Sequence, residues 1–288
     1  MAARSIQDVM SRDGASLKAA LEQSAAEARI EVQMLLQRSL HVSRAYLLAH
    51  PEQILEASQQ AAYDTMLQRR LRGEPIAHIL GEREFFGLNF KVTSAALIPR
   101  PETELLVELA LQRIPQHGGC RVLDLGTGTG AIGLSIAHDR PDVEVVAVDA
   151  SQGALEVARE NAQRMTISNT SFVQSDWFEA LGAQHFKIIV SNPPYIAVAD
   201  PHLAQGDVRF EPVSALVSGV DGLEDIRQIV ARAGEFLERG GWLLLEHGYD
   251  QAQSVREILL LNGYEDVFSA KDIAGIERVS GGIFSKIQ

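Results

Sequence analysis

One cysteine, Cys120, occurs in 288 residues. That excludes an internal disulfide and any metal site built from several thiolates. Cys120 heads an apolar run and is expected to pack rather than react. No apolar run approaches the roughly 20 residues that span a bilayer. The opening Met1-Ala2-Ala3-Arg4-Ser5-Ile6-Gln7-Asp8 lacks the apolar core of a secretory signal. A cytoplasmic protein with no membrane association is the expectation. Internal repeats and low-complexity tracts are also missing. Basic charge is scarce where it would matter for nucleic acid. The net charge is −12. Residues 1–80 carry nine basic and nine acidic side chains, so the whole deficit lies in residues 81–288, with 17 basic against 29 acidic. Such a segment is a poor match to a phosphate backbone, which rewards clustered Lys and Arg. A basic protein partner suits it better.

What is present is enough apolar material for a sizeable core, 46% against 22% charged, in a chain long enough for one large or two ordinary domains. Residues 1–80 read as a helical domain. Val32, Leu35, Leu36 and Leu40 recur at helical spacing, followed by Tyr46 and Leu47. Gly14-Ala15-Ser16 offers a helix start, Ser43 a cap, and Pro51 the opening of a helix toward Arg70. His41, His50 and His78 are scattered and read as surface or packing residues. Gly73-Glu74-Pro75 breaks the helical pattern. Glu84 to Val92, with aromatics around Gly87, then reads as a hairpin within a connector, residues 81–97. Pro101 in Leu97-Ile98-Pro99-Arg100-Pro101-Glu102-Thr103-Glu104 suits a first helical turn, and Arg100 between two prolines is a rigid candidate for anchoring the connector or lining a cleft.

The most informative block lies in the remaining segment, residues 98–288. Arg121 to Leu125 is a strand entering Gly126-Thr127-Gly128-Thr129-Gly130. Ala131 to His138 is a helix, and Val143 to Val148 a second strand ending at Asp149. Glycines at the first turn let a ligand approach the backbone, and a carboxylate ending the second strand can hold ribose hydroxyls. Gly128 to Gly133 even matches the dinucleotide fingerprint literally, so NAD has to be weighed. Asp124, just before the glycines, would repel a pyrophosphate but can bind the ammonium of an amino-acid moiety, directly or through water. S-adenosylmethionine carries that ammonium and no phosphate. A third strand, Ser171 to Ser175, ends at Asp176-Trp177-Phe178, where an Asp can accept from an adenine amine and a ring can cover the purine. These residues favour S-adenosylmethionine over NAD.

A fourth strand, Phe186 to Val190, ends at Ser191-Asn192-Pro193-Pro194-Tyr195. The prolines stop the ladder and stiffen the turn. They present an Asn amide, able to donate and accept, at the same strand edge as the other three ends. Residues 196–222 form a long segment beside this turn, of the kind used as a lid or substrate loop. A helix is expected from Leu223 to Arg239, stopping at Gly240-Gly241. A strand from Trp242 to Gly248, a helix from Gln251 to Leu261, and strands at 264–269 and 278–286 complete the sheet. Glu246-His247 has the composition of an acid–base pair but reads as structural.

With these motifs in hand, the chain closely resembles the bacterial HemK/PrmC family of protein-(glutamine-N5) methyltransferases. The resemblance rests on Arg83-Glu84-Phe85-Phe86-Gly87, the 97–104 stretch, Asp124 to Gly130, Ser191 to Tyr195, Phe210-Glu211-Pro212 and Glu246-His247-Gly248. Phe86 departs from the Trp expected in many members. The resemblance implies a Rossmann-like, seven-stranded S-adenosylmethionine-dependent methyltransferase sheet with a reversed last hairpin, behind a small all-helical N-terminal domain that binds substrate. It implies methylation of the glutamine in the Gly-Gly-Gln motif of class 1 peptide chain release factors; a monomer is the separate expectation. Cofactor contacts are expected from Asp124, Gly126, Thr127, Gly128, Gly130, Asp149, Asp176, Trp177 and Asn192. Substrate contacts are expected from Asn192, Pro193, Pro194, Tyr195 and Arg100, with Asn192, Pro193 and Tyr195 catalytic. A glutamine of a large-subunit ribosomal protein is an alternative substrate. A DNA adenine-N6 methyltransferase, which uses a similar turn but must flip its base and grip phosphates, is disfavoured by the acidity. A binding scaffold without catalysis is disfavoured by the intact glycines, Asp149 and Asn192.

Overall fold

The computed structural model describes residues 4–285 and separates them into two compact units. One ends at Gly81 and also takes in His202–Phe210; the other comprises Glu82–Pro201 and resumes at Glu211. The second stretch of the first unit departs from the expectation of a single loop over 196–222 beside the turn at Asn192.

The first unit is helical, with α1 at Ile6–Leu21, α2 at Ala25–Leu40, α3 at Arg44–Ala49, α4 at Ala57–Leu71 and α5 at Ile76–Leu80. Ser5 with Asp8 and Ser24 with Glu27 form capping boxes that satisfy the free amides of α1 and α2. Ser43 caps α3 as expected. Two expectations fail here. Gly14 starts no helix, because α1 begins eight residues earlier at the Ser5 cap and runs through it. Pro51 lies in a turn, and α4 opens only at Ala57. The apolar stripe closes a core around Val9, Leu17, Val32, Leu35, Leu36 and Tyr63. Arg70 is buried with its guanidinium divided between both Glu31 oxygens, at 2.9 and 3.0 Å, and Asp207 at 2.9 Å. That charge pairing, which has no signal in local sequence, draws His202–Phe210 into the helical unit.

The second unit opens with the hairpin β1 (Glu82–Phe85) and β2 (Leu88–Lys91). Its two-residue turn, Phe86-Gly87, has positive φ at both positions, the geometry that matches strand twist. The main sheet follows as β3 (Arg121–Leu125), β4 (Glu144–Asp149), β5 (Thr170–Gln174), β6 (Phe186–Ser191), β7 (Leu237–Glu246), β8 (Tyr264–Lys271) and β9 (Glu277–Phe284). Their spatial order is β5-β4-β3-β6-β7-β9-β8. β9 runs antiparallel to both neighbours, and the other pairings are parallel. The seven strands and reversed final hairpin are those the resemblance implies.

Both faces of the sheet are covered, so central strands are apolar on both sides. Val122, Ile188, Val190 and Leu244 face one core, with α6 (Glu104–Arg113) and α7 (Ala131–Asp139). Leu123, Val146, Ile189 and Leu243 face the other, with α9 (Glu224–Ala233) and α10 (Ala252–Leu261). Residue by residue the side chains alternate between the two cores. Helix α8 (Gln152–Arg164) crosses from β4 to β5. The helix expected to reach Arg239 stops at Ala233. Leu237 already belongs to β7, and Gly240-Gly241 sits at an irregularity in the β6–β7 register, with Gly240 at φ +69°. The two glycines mark a bulge in a strand instead of a helix end.

Candidate active site

Strand β3 is the point where the sheet order reverses: β4 and β5 extend to one side and β6 to the other. Ligands in open α/β sheets bind beyond the carboxyl ends of strands at such a point. The cavity found there is lined by Gly126, Thr127 and Gly128 after β3, Asp149 at the end of β4, Asp176 and Trp177 after β5, and Asn192 and Pro194 after β6. Arg100 lines it too. Four strand ends far apart along the chain thus meet in one wall.

The glycine turn is shaped by conformation and by proximity. Gly126 has φ +71°, and a Cβ there would lie 3.5 Å from the Trp177 ring. Trp177 itself holds φ +44°, an uncommon backbone for a bulky residue and of the kind that clusters at binding sites. Its ring faces the cavity, whereas Phe178 is buried and stacks on Phe236 at 4.7 Å. Of the two rings considered for covering a purine, only the tryptophan is available.

The two carboxylates around the turn differ in position. The Asp149 oxygens accept from the Gly128 and Ser151 amides, at 2.9 and 2.8 Å, and its carboxylate still borders the cavity. Burial raises its pKa, against the pull of those two amides. Asp124 lies behind the turn, wholly buried and outside the cavity wall. Its Oδ2 accepts from the Thr127 hydroxyl at 2.6 Å and the Gly133 amide at 2.9 Å. Desolvation pushes its pKa up to about 6. Asp124, expected to meet a ligand directly or through water, supports the loop through Oδ2, while its buried Oδ1 has no hydrogen-bond partner among the described residues. Gly133 is where α7 passes closest, since a Cβ there would stand 2.8 Å from Asp124 Oδ2. Gly130 is likewise outside the wall; at φ +85° it turns the chain into α7.

The turn after β6 completes the site. Asn192 Nδ2 donates to Thr103 Oγ1 at 3.2 Å. Its Oδ1 is buried and has no hydrogen-bond partner among the described residues. Pro193 and Tyr195, unlike Asn192 and Pro194, are not among the residues that line the cavity. The Tyr195 carbonyl accepts from Gln251 Nε2 at 3.0 Å, which ties the turn to the start of α10. Burial, with the Glu246 carboxylate adding to it, holds the Tyr195 phenol well above its usual pKa. Arg100 pairs with Glu211, whose other oxygen accepts from the Ile98 amide at 3.0 Å. The guanidinium expected to meet substrate is thus already engaged by a buried carboxylate.

Three participants carry no role that the sequence reveals. Thr103 and Glu211 lie inside stretches singled out above, but a Thr after a Pro-Glu pair and a Glu before a proline have no chemistry of their own. Glu246 is expected to be structural together with His247, and the structure separates the two. His247 is fully buried and satisfied, with Nδ1 on the Gly248 carbonyl at 2.9 Å and Nε2 on Ser280 at 2.8 Å. Glu246 turns the other way, toward Thr103 and Asn192.

The residues present fit S-adenosylmethionine. The glycine cradle admits backbone contact, Asp149 keeps free lone pairs at a ribose position, the Trp177 ring flanks Gly126, and no basic cluster suited to a pyrophosphate borders the wall among the described residues. The fold and site define an S-adenosylmethionine-dependent methyltransferase. Comparison with solved structures agrees on the fold. A methyltransferase from Pyrococcus furiosus covers 77% of this chain and 100% of its own with TM-score 0.54 at 18% identity. A Thermus thermophilus 16S rRNA methyltransferase, solved with AdoMet and guanosine, covers 71% of this chain and 50% of its own with TM-score 0.51 at 24% identity.

Sequence comparison then narrows the class. The family model for the methyltransferase small domain matches residues 102–206, and that for the PrmC N-terminal domain matches residues 15–81. The release factor glutamine methyltransferase of Escherichia coli K12 is 49% identical over 260 residues, 90% of this chain and 94% of that protein. Its namesake in Vibrio cholerae is 50% identical over 273 residues, covering 93% and 95%. The chain belongs to the release factor glutamine methyltransferase family.

Proposed function

We propose that this enzyme methylates the side-chain nitrogen N5 of the glutamine in the Gly-Gly-Gln motif of class 1 release factors. The observation that carries the reading is the Asn192 side chain at the cavity wall, beside the glycine cradle, whose buried Oδ1 has no hydrogen-bond partner among the described residues. A buried acceptor without a partner costs roughly 1–3 kcal/mol. A ligand that brings an N–H removes that cost. When bound, S-adenosylmethionine supplies a methyl group on a positively charged sulfur whose charge is lost on transfer. Gly126, Thr127, Gly128, Asp149, Asp176 and Trp177 hold it, with Asp124 and Gly130 shaping the loop.

An amide nitrogen is a poor nucleophile because its lone pair is delocalised into the carbonyl. Asn192 Oδ1 accepts a hydrogen bond from one amide hydrogen, in a turn that Pro193 stiffens, which aims the nitrogen and keeps electron density on it; as the nitrogen gains the methyl group it gives up its other hydrogen as a proton to water. Such alignment can supply several kcal/mol, roughly 7–11 at the limit. Pro194 and Tyr195 fix the turn and close the pocket, and Arg100 shapes its rim. The helical unit binds the protein substrate. The enzyme works as a monomer in the cytoplasm; among the described residues no helix is long and apolar enough to cross a membrane.

The test is incubation with labelled S-adenosylmethionine and, separately, purified release factor, large-subunit ribosomal protein and duplex DNA. Label on the Gly-Gly-Gln glutamine alone is expected. Label on ribosomal protein or DNA with none on release factor overturns the assignment.

A further inference from the structure

Glu246 closes β7 with 2% of its surface exposed, directly behind the turn that carries Asn192. Leu245 pairs with Ser191, so Glu246 follows it beside Asn192, and Thr103 and Asn192 both favour its charged form, while its Oε2 is buried with no hydrogen-bond partner among the described residues. The same feature recurs at Asp124, whose Oδ1 is also buried without a partner among the described residues; what sets Glu246 apart is its place beside Asn192. A buried carboxylate with a free oxygen is costly, and a neutral residue of similar shape would serve a structural purpose better. Its neighbour His247 shows what a structural group looks like in this strand: both ring nitrogens are paired.

We propose that Glu246 is a positioning residue for methyl transfer, acting through Thr103 and the Asn192 amide to keep Oδ1 free as an acceptor. The proposal rests on the reading that Oδ1 receives an amide hydrogen of the substrate. The direction of each hydrogen bond sets the orientation. An ionised carboxylate can only accept. The Thr103 hydroxyl therefore donates to Glu246, and its oxygen is left to accept from Asn192 Nδ2. That fixes Nδ2 on Thr103 and leaves Oδ1 free. A protonated Glu246 can donate instead, the Thr103 hydroxyl is released to donate to the Asn192 oxygen, and the amide can turn its NH2 to where Oδ1 stood. An NH2 group there meets the two hydrogens of the substrate amide, donor against donor.

The groups facing Glu246 make this sensitive to pH. Glu102, from the short helix at Pro101–Thr103, disfavours the charged form; Arg278 on β9 favours it but is shared with Asp272 at 3.2 Å. The Tyr195 phenol stays neutral beside it. Burial is the largest effect and brings the Glu246 pKa up to about 7.

The experiment measures kcat and KM for purified release factor at saturating S-adenosylmethionine, from about pH 5.5 to 9. Wild type is compared with Glu246→Gln, Thr103→Val, the double variant and Asn192→Ala. Cofactor affinity and Tm are recorded for each. Wild-type kcat is expected to fall on the acid side of neutrality. Glu246→Gln is expected to lose roughly 10- to 100-fold in kcat, the scale of a misoriented reacting group. The acid limb should vanish, with KM and cofactor affinity within about twofold and no fall in Tm at alkaline pH. Thr103→Val should show a similar loss, and the double variant no more than either single, because the three groups act as a unit. A wild-type kcat flat across neutrality, a Glu246→Gln kcat near wild type, or a loss that follows Tm and cofactor affinity each overturn the proposal. Should Glu246→Gln fail to fold, Thr103→Val and the wild-type profile decide. An inactive Asn192→Ala with an unaffected Glu246→Gln sinks this proposal alone. An active Asn192→Ala sinks the reading beneath it.

Discussion

Asn192 hydrogen-bonds through Nδ2 to the hydroxyl of Thr103, a residue 89 positions earlier in the chain, at 3.2 Å. The bond spends the donor end of the amide on Thr103 and leaves the acceptor end, Oδ1, without a partner among the described residues. Removing the amide removes the acceptor without touching the glycine cradle. Asn192→Ala is expected to lower kcat by roughly 100- to 1,000-fold, the usual effect of deleting one oriented polar contact at a reacting group. Calorimetry should show cofactor affinity changed far less. Equal losses in both would mean that Asn192 serves binding alone.

Gly133 and Asp124 give a second test. A methyl at position 133 would stand 2.8 Å from Asp124 Oδ2 and disturb the bond between the Gly133 amide and that oxygen. Gly133→Ala should destabilise by about 1–3 kcal/mol, the range for overpacking a tight contact, and should weaken cofactor affinity because the same carboxylate holds Thr127. Urea unfolding and cofactor titration on one preparation measure both effects.

Asp124 and Glu246 should each remove stability as pH rises from about 4 to 8, while His247, whose pKa burial lowers, acts in the opposite direction. Folding raises Asp124 from 3.8 to about 6 and Glu246 from 4.5 to about 7. Between the unfolded and folded values the native state holds more protons, so raising the pH favours unfolding. The penalty is absent below the unfolded pKa and complete above the folded one. For Glu246 it is on the order of 3 kcal/mol at pH 8, since a tenfold change in acidity is worth about 1.4 kcal/mol. Glu246→Gln should therefore raise Tm at pH 8 and leave it little changed at about pH 4.5, where the wild-type carboxyl is protonated in the folded protein. Thermal scans at the two pH values decide it. A lower Tm at pH 8 would show that the charge stabilises the fold.

Arg100 and Glu211 form the fourth test. The Glu211 side chain has no exposed surface, while Arg100 is 30% exposed. Arg100→Ala strands a buried carboxylate and should cost about 2–3 kcal/mol, below the range for a fully buried pair. Adding Glu211→Ala should return part of that loss, although the Ile98 amide then loses its acceptor. A double-mutant cycle in urea reads the coupling; additivity would show that the two side chains act independently.

Much of the catalytic architecture was legible along the chain. Apolar strands followed by glycine or proline stops placed the ends at Gly126, Asp149, Asp176 and Asn192, and all four border one cavity. Signals with two local meanings were the ones that misled. Gly14 looked like a helix start and lies inside α1, and Gly240-Gly241 looked like a helix stop and is a bulge in β7. Glycine marks a backbone that needs freedom; only strand partners say which element needs it.

The sequence by itself determined the carboxyl ends of the first four strands of the main sheet, the conformational freedom of the glycine turn, the stiffness of the proline turn and the kinds of groups available there. These follow from residue type and spacing. The tertiary structure decided which carboxylates meet the cavity. Asp124, expected at a ligand, stands behind the loop; Glu246, expected to be structural, stands behind Asn192. The reason is physical: what a carboxylate does depends on the water it loses and the donors that replace it, and its partners here come from distant parts of the chain.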